Sequence, residues 1–173
     1  RQKTTQDFDQ ITTRKPLKSL NRAKKQQAGK NNQGRITVRH RGGGVKRHYR
    51  LVTYKLPADL TFTVEEIEYD PNRSARIARV KDEKGTYYYV LADTKMTKGS
   101  TFKTGQNVEV EDSSRMPLEN IPVGTFVYGV ELTPGRGAQM VRAAGASAQL
   151  MAKENGYATL KMPSGEVRKV LAA

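Results

Sequence analysis

The chain has no cysteine, no tryptophan and only two histidines in 173 residues. Without cysteine it forms neither disulfides nor thiolate metal sites, a composition that fits a reducing compartment. With His40 and His48 as the only imidazoles, no histidine cluster of zinc spacing and no Cys–His nucleophile pair can be drawn. No apolar run approaches the roughly 18 residues that span a bilayer. The basic segments also lack the Leu, Phe and Trp face with which an interfacial helix inserts, so a membrane is not the expected partner. Hydrophobic residues make up only 36% of the chain, too few for one large core but enough for small ones if part of the chain stays outside.

Acid is scarce where base is dense. Residues 1–55 hold 16 Lys/Arg against Asp7 and Asp9 alone, whereas residues 56–173 hold 15 of each sign. The whole formal charge of +14 therefore sits in the first third. So local an excess points to a polyanionic partner, with nucleic acid favoured over a membrane surface.

Within that third, residues 31–50 carry six Arg/Lys and four glycines with no acid among them. Arg35, Arg39, Arg41, Lys46, Arg47 and Arg50 flank the run Gly42-Gly43-Gly44. Three successive glycines let the backbone approach a ligand closely, and guanidinium groups fork onto phosphate oxygens. The plainer alternative is a flexible hairpin tip. Gly44-Val45-Lys46 does not make a nucleotide-binding loop, since the Gly-x-x-x-x-Gly-Lys-Ser/Thr spacing is missing.

Residues 1–34 have few large apolar side chains (Phe8, Ile11, Leu17, Leu20) and no sustained period, which reads as an extended or disordered arm, with Asp7-Phe8-Asp9 capping a short turn at most. From Arg35 the pattern turns to period two, Ile36 and Val38 alternating with Arg35, Thr37 and Arg39, as in a half-buried strand. Alternation resumes at Tyr49 and Leu51 and continues through Phe62, Val64, Ile67 and Tyr69, with a change of phase at Glu65-Glu66 that predicts a β-bulge. Asp70-Pro71-Asn72-Arg73-Ser74 reads as a turn. Further strands are expected at 75–80, 86–91 and 107–111, so residues 35–112 form one small barrel.

Pro117 and Pro122 bracket a boundary at 113–124. A second β unit, residues 113–173, follows. Phe126, Tyr128, Val130 and Leu132 alternate as one strand, residues 148–152 and 157–162 flank the hairpin signal Glu154-Asn155-Gly156, and a turn at Pro163-Ser164-Gly165 leads into residues 167–171. No amphipathic helix longer than about ten residues is expected. The expected fold class is all-β: a basic extended arm (1–34), a barrel (35–112) and a second barrel (113–173).

Glu66, Glu68 and Asp70 share one strand face and are read as solvated surface rather than an acid–base site. Tyr87 and Tyr89 share a face with Leu91 and read as core in preference to a base-stacking platform. Arg73, Arg76 and Arg79 form a possible surface row, unless neighbouring acids pair with them. Gly135, Arg136, Gly137 and Arg142 lie in an acid-free loop, 133–145, which is a second candidate contact. No catalytic residue, metal ligand, cofactor or small-molecule substrate is expected.

Four motifs stand in order and spacing as they do in a known family: residues 31–44, residues 68–75 (Glu68-Tyr69-Asp70-Pro71-Asn72-Arg73-Ser74-Ala75), Asn120-Ile121-Pro122-Val123-Gly124, and residues 134–145. From about Asn31 to Val170 the chain resembles the universal L-two family of large-ribosomal-subunit proteins, in its bacterial or organellar form. The resemblance implies an oligonucleotide-binding-type barrel followed by an SH3-like barrel. It also implies binding to large-subunit ribosomal RNA, neighbouring ribosomal proteins as partners, a cytoplasmic or organellar ribosome as location, and roles in subunit association and peptidyl-transferase organisation. Val45 stands where bacterial relatives commonly have histidine, and the basic Gly- and His-containing C-terminal extension usual in the family has no counterpart among these residues. The alternative reading is a single-stranded nucleic-acid-binding barrel acting outside the ribosome.

Overall fold

The structure, a computed structural model, describes residues 7–173; the first six residues of the expected arm lie outside the described residues. Among the described residues ten strands form three antiparallel sheets. β1 (Asn21–Ala23) pairs with β2 (His48–Arg50). β3 (Leu60–Glu68), β4 (Ile77–Asp82), β5 (Tyr87–Leu91) and β6 (Thr101–Thr104) form a sheet in the order β5-β4-β3-β6. β7 (Phe126–Val127), β8 (Ala148–Glu154), β9 (Tyr157–Lys161) and β10 (Val167–Leu171) form the third, each pairing with the next. The only helical pieces among the described residues are the 3-10 turns Lys18–Leu20 and Leu118–Asn120. The chain is thus all-β, an oligonucleotide-binding-type unit followed by an SH3-like barrel, as expected.

Each unit has its own core. In β3, Phe62 and Val64 point inward by strand alternation, and a register shift between Val64 and Glu66 brings Ile67 inward as well, where the bulge was expected. Phe62 stacks on Phe102 at 5.4 Å and meets Tyr88 edge-on at 5.8 Å. The second core gathers Val130, Leu150, Ala158, Leu160 and Val170 from both sides of the Asn155-Gly156 hairpin. Each buried Leu or Phe contributes about 1.5–3 kcal/mol relative to exposure.

Several expectations need correction. Residues 35–39 form no half-buried strand: Ile36 is 66% and Val38 51% exposed, because the segment folds back on residues 29–31 instead of joining a sheet. Residues 107–111 are not a strand. The edge strand is β6, just upstream, and beyond it Val110 is left exposed with no partner strand. The alternation at 126–132 does not line one buried face either. Only Phe126 and Val127 join β8, while Val130 exchanges backbone bonds with Met140 at 3.0–3.1 Å and Phe126, Tyr128 and Leu132 stay exposed.

Glu68 and Asp70 are buried at 2% and 1% exposure, not solvated. The face of β3 that looks free in the sequence is covered by the arm. The Thr12 amide donates to the Ile67 carbonyl at 3.0 Å, and the Leu17 amide donates to the Tyr89 hydroxyl at 2.8 Å. Tyr89, fully buried as expected of a core residue, in turn donates to Glu68 Oε2 at 2.7 Å. Burial pushes the Glu68 carboxyl above its ordinary range, against the pull of the Tyr89 hydroxyl and the Arg79 guanidinium. The described part of the arm is therefore extended but fastened, and no portion from Thr12 to Ala23 reads as a disordered tail.

Candidate nucleic-acid interface

The basic strip is a loop with a rigid base and an open tip. The Asn31 side-chain oxygen accepts from the amides of Gln33 at 3.0 Å and Arg35 at 2.9 Å, and the Asn31 amide donates to the Arg35 carbonyl at 2.9 Å. The Gly29 carbonyl accepts from the amides of Thr37 and Val38 at 3.0 and 3.1 Å. Only glycine suits position 29, since its φ is +71° and a Cβ there would lie 2.1 Å from the Val38 carbonyl oxygen. This base carries Arg35, Arg39 and Arg41 outward, all exposed. Beyond it Gly43 and Gly44 stand in open space, with no atom within 4 Å of where a Cβ would sit.

Arg35, Arg39, Arg41 and Lys46 have no carboxylate within ion-pair distance among the described residues. Arg47 is also exposed, but its Nη1 donates to the Pro71 carbonyl at 3.0 Å, which ties the end of the strip to the turn after β3. Arg50 departs from the group. It is half-buried and donates to the His48 carbonyl at 3.0 Å and to Asn21 Oδ1 at 3.3 Å.

The turn at residues 70–74 is where the parts meet. The Asn72 side-chain amide donates to the His48 carbonyl at 2.7 Å, and Lys24 Nζ donates to Asn72 Oδ1 at 3.1 Å, so arm, strip and turn are bonded together. Buried Asp70 accepts from Arg73 Nε at 2.6 Å and from the Asn72 amide at 2.9 Å. Arg73 also donates to the Tyr54 hydroxyl. Burial works against the Arg73 cation, but the hydrogen bonds to Asp70 and Tyr54 outweigh it and raise the pKa above the usual arginine value. Arg76 is held differently. Its guanidinium lies 5.3 Å from the Phe8 ring and 5.4 Å from the Tyr69 ring. Arg79 lies among Glu65, Glu66 and Glu68 at 3.2–4.0 Å. The row Arg73, Arg76 and Arg79 is thus largely committed within the protein.

The loop at 133–145 lies against the same turn. The Ala144 amide donates to Ser74 Oγ at 3.2 Å, and the Ala138 amide donates to the Tyr54 carbonyl at 3.0 Å. Gly137 is buried with φ +86°, and a Cβ would lie 3.1 Å from the Tyr54 carbonyl carbon and oxygen, so here the glycine permits close packing of protein on protein. Gly135 and Arg136 are exposed. Arg142, also exposed, lies over the Tyr54 ring with its guanidinium carbon 4.9 Å from the centroid. Glu131 braces the loop from below, accepting from the Gly135 amide at 2.7 Å and pairing with Arg115.

The structure therefore brings Arg35, Arg39, Arg41, Lys46 and Arg47 onto one exposed loop with Gly42, Gly43 and Gly44. It places Gly135, Arg136 and Arg142 on a second loop, and the turn at 70–74 bonds to both. Gly137 and Arg50 face inward. Sequence reasoning missed Tyr54, Asn72 and Ser74, whose roles come from contacts across 19 to 88 positions. Among the described residues no cluster of His, Cys, Asp or Glu suits a metal ion, and no helix is long and apolar enough to cross a membrane.

Comparison with known families divides the chain in two. Residues 17–104 match the family model described as Ribosomal Proteins L2, RNA binding N-terminal domain. Residues 111–173 match the one described as Ribosomal Proteins L2, C-terminal domain.

Proposed function

The chain belongs to the L-two family of ribosomal proteins, and on that premise we propose that it is a structural component of the large ribosomal subunit that binds ribosomal RNA through phosphates, without catalysing a reaction. Residues 1–34 act as a basic arm, 35–112 as the first RNA-binding barrel and 113–173 as the second. The observation that carries this reading is the unpaired, exposed set Arg35, Arg39, Arg41 and Lys46 around an open glycine run. Folding of a large RNA brings phosphates together that repel one another. Fixed cations on a rigid loop base lower that repulsion and release condensed counterions. Phosphate contacts of this kind position the protein without reading sequence.

Arg136 and Arg142 add a second contact from the loop at 133–145, with the exposed backbone at Gly135 beside the RNA. Two sites on one folded body act together, because binding at the first raises the effective concentration for the second. In the ribosome the protein supports subunit association and the organisation of the peptidyl-transferase region, with neighbouring ribosomal proteins as its protein partners. The test is sedimentation of the protein with large ribosomal subunits through a high-salt wash. Retention with the large subunit is the expected result, and release into the free fraction together with small nucleic acids overturns the ribosomal assignment.

A further inference from the structure

Tyr54 has a structural position that the phosphate-binding account leaves unused. It follows β2, and the amide of its neighbour Thr53 donates to the Tyr89 carbonyl at 2.7 Å, which fixes it to the first unit. Its hydroxyl accepts from Arg73, whose Nε donates to the buried Asp70 carboxylate at 2.6 Å. Its carbonyl accepts from the Ala138 amide at 3.0 Å, and its backbone fills the space beside Gly137. One face of its ring carries the Arg142 guanidinium at 4.9 Å. A chain of contacts thus runs from Asp70 through Arg73 and Tyr54 to a cation of the second unit.

We infer that Tyr54 is a positioning residue, holding the Arg142 guanidinium in place for an RNA phosphate, so that the second unit's contact depends on an aromatic ring supplied by the first. An exposed arginine has many rotamers, and ordering it at the moment of binding opposes association. A ring beneath the guanidinium restricts those rotamers beforehand while leaving the N–H edge free to meet an anion. The hydroxyl contributes by fixing the ring plane through Arg73, and the buried carboxylate fixes Arg73. The inference rests on the reading that Arg142 contacts RNA.

Binding of the full chain to a large-subunit ribosomal RNA transcript tests it, with Tyr54→Leu, Tyr54→Phe, Arg142→Ala and the Tyr54→Leu/Arg142→Ala double variant measured across a salt series. Arg142→Ala should weaken binding and flatten the logarithmic salt slope by about 0.7–0.9, the share of one phosphate contact. Tyr54→Leu should weaken binding about two- to fivefold, the range of an exposed cation–π contact, with the slope unchanged because the cation remains. Tyr54→Phe keeps the ring and should restore most of that loss. In the double variant the leucine should cost nothing beyond Arg142→Ala. A general packing defect at residue 54 would instead weaken binding equally with and without Arg142, and that result overturns the positioning role. If Arg142→Ala leaves affinity and slope unchanged, the RNA reading of the loop itself fails, and the inference falls with it.

Discussion

Residues 34–47 and 133–145 are alike in composition, both rich in glycine and arginine and both free of acid. Their structures differ at particular glycines. In the first, Gly43 and Gly44 stand in open space and Arg35, Arg39, Arg41 and Lys46 are exposed. In the second, Gly137 is buried against the Tyr54 backbone and Arg142 lies over the Tyr54 ring. Glycine beside arginine thus serves two purposes in one chain. At Gly43 and Gly44 it leaves room for a partner; at Gly137 it lets one part of the protein close on another. Composition alone does not distinguish the two, because the difference lies in what stands opposite the missing side chain.

The largest effect that separates them is expected at Gly137. A valine there combines the cost of overpacking with that of a left-handed backbone, and should lower stability by about 2–4 kcal/mol in denaturant unfolding. A loss smaller than about 0.5 kcal/mol, the ordinary range of a surface change, would mean that the loop does not close on Tyr54.

The smallest stability effect is expected at Gly44. A Cβ at this position meets no atom within 4 Å and no positive φ, so with valine there the unfolding free energy should move by less than about 0.5 kcal/mol. Gly43 is a poorer choice because its φ of +69° would strain any side chain. The same Gly44→Val change should weaken RNA binding by about 1 kcal/mol, the net worth of a hydrogen bond lost when a branched side chain holds the phosphate away from the backbone. Equal binding by this variant would reduce the glycine run to a flexible tip.

Much of the architecture was legible from local signals. The bulge at Glu65-Glu66, the turn at 70–74, the hairpin at Asn155-Gly156 and the last strand each follow from a few adjacent residues, and each stands where it was expected. The misreadings share a cause. Ile36 and Val38 alternate like a strand, yet their neighbours fold into a loop around the Asn31 and Gly29 oxygens, and no sheet edge waits for them. Glu68 looks solvated in a strand pattern because the segment that covers it, residues 12–17, lies about 55 positions away and has no period of its own; Asp70 is instead engaged by Asn72 and Arg73 of its own turn.

The candidate site was legible where it is most exposed. Charge density and glycine content pointed to the strip without any knowledge of its contacts. They could not show that Arg50, Arg73 and Arg76 are engaged by Asn21, Asp70 and the Phe8 and Tyr69 rings. Nor did any local signal mark Tyr54, an ordinary tyrosine between a short strand and a proline, as the residue on which the second unit's loop rests.

If binding is electrostatic and centred on the exposed strip, a salt titration of binding to large-subunit ribosomal RNA will show it. With about eight phosphates neutralised, log affinity should fall against log salt with a slope of roughly −6 to −7. Replacing Arg35, Arg39, Arg41 and Lys46 together with alanine should flatten that slope by about 3, the share of four contacts. A parent slope shallower than about −2, or a fourfold variant that titrates like the parent, would contradict that reading.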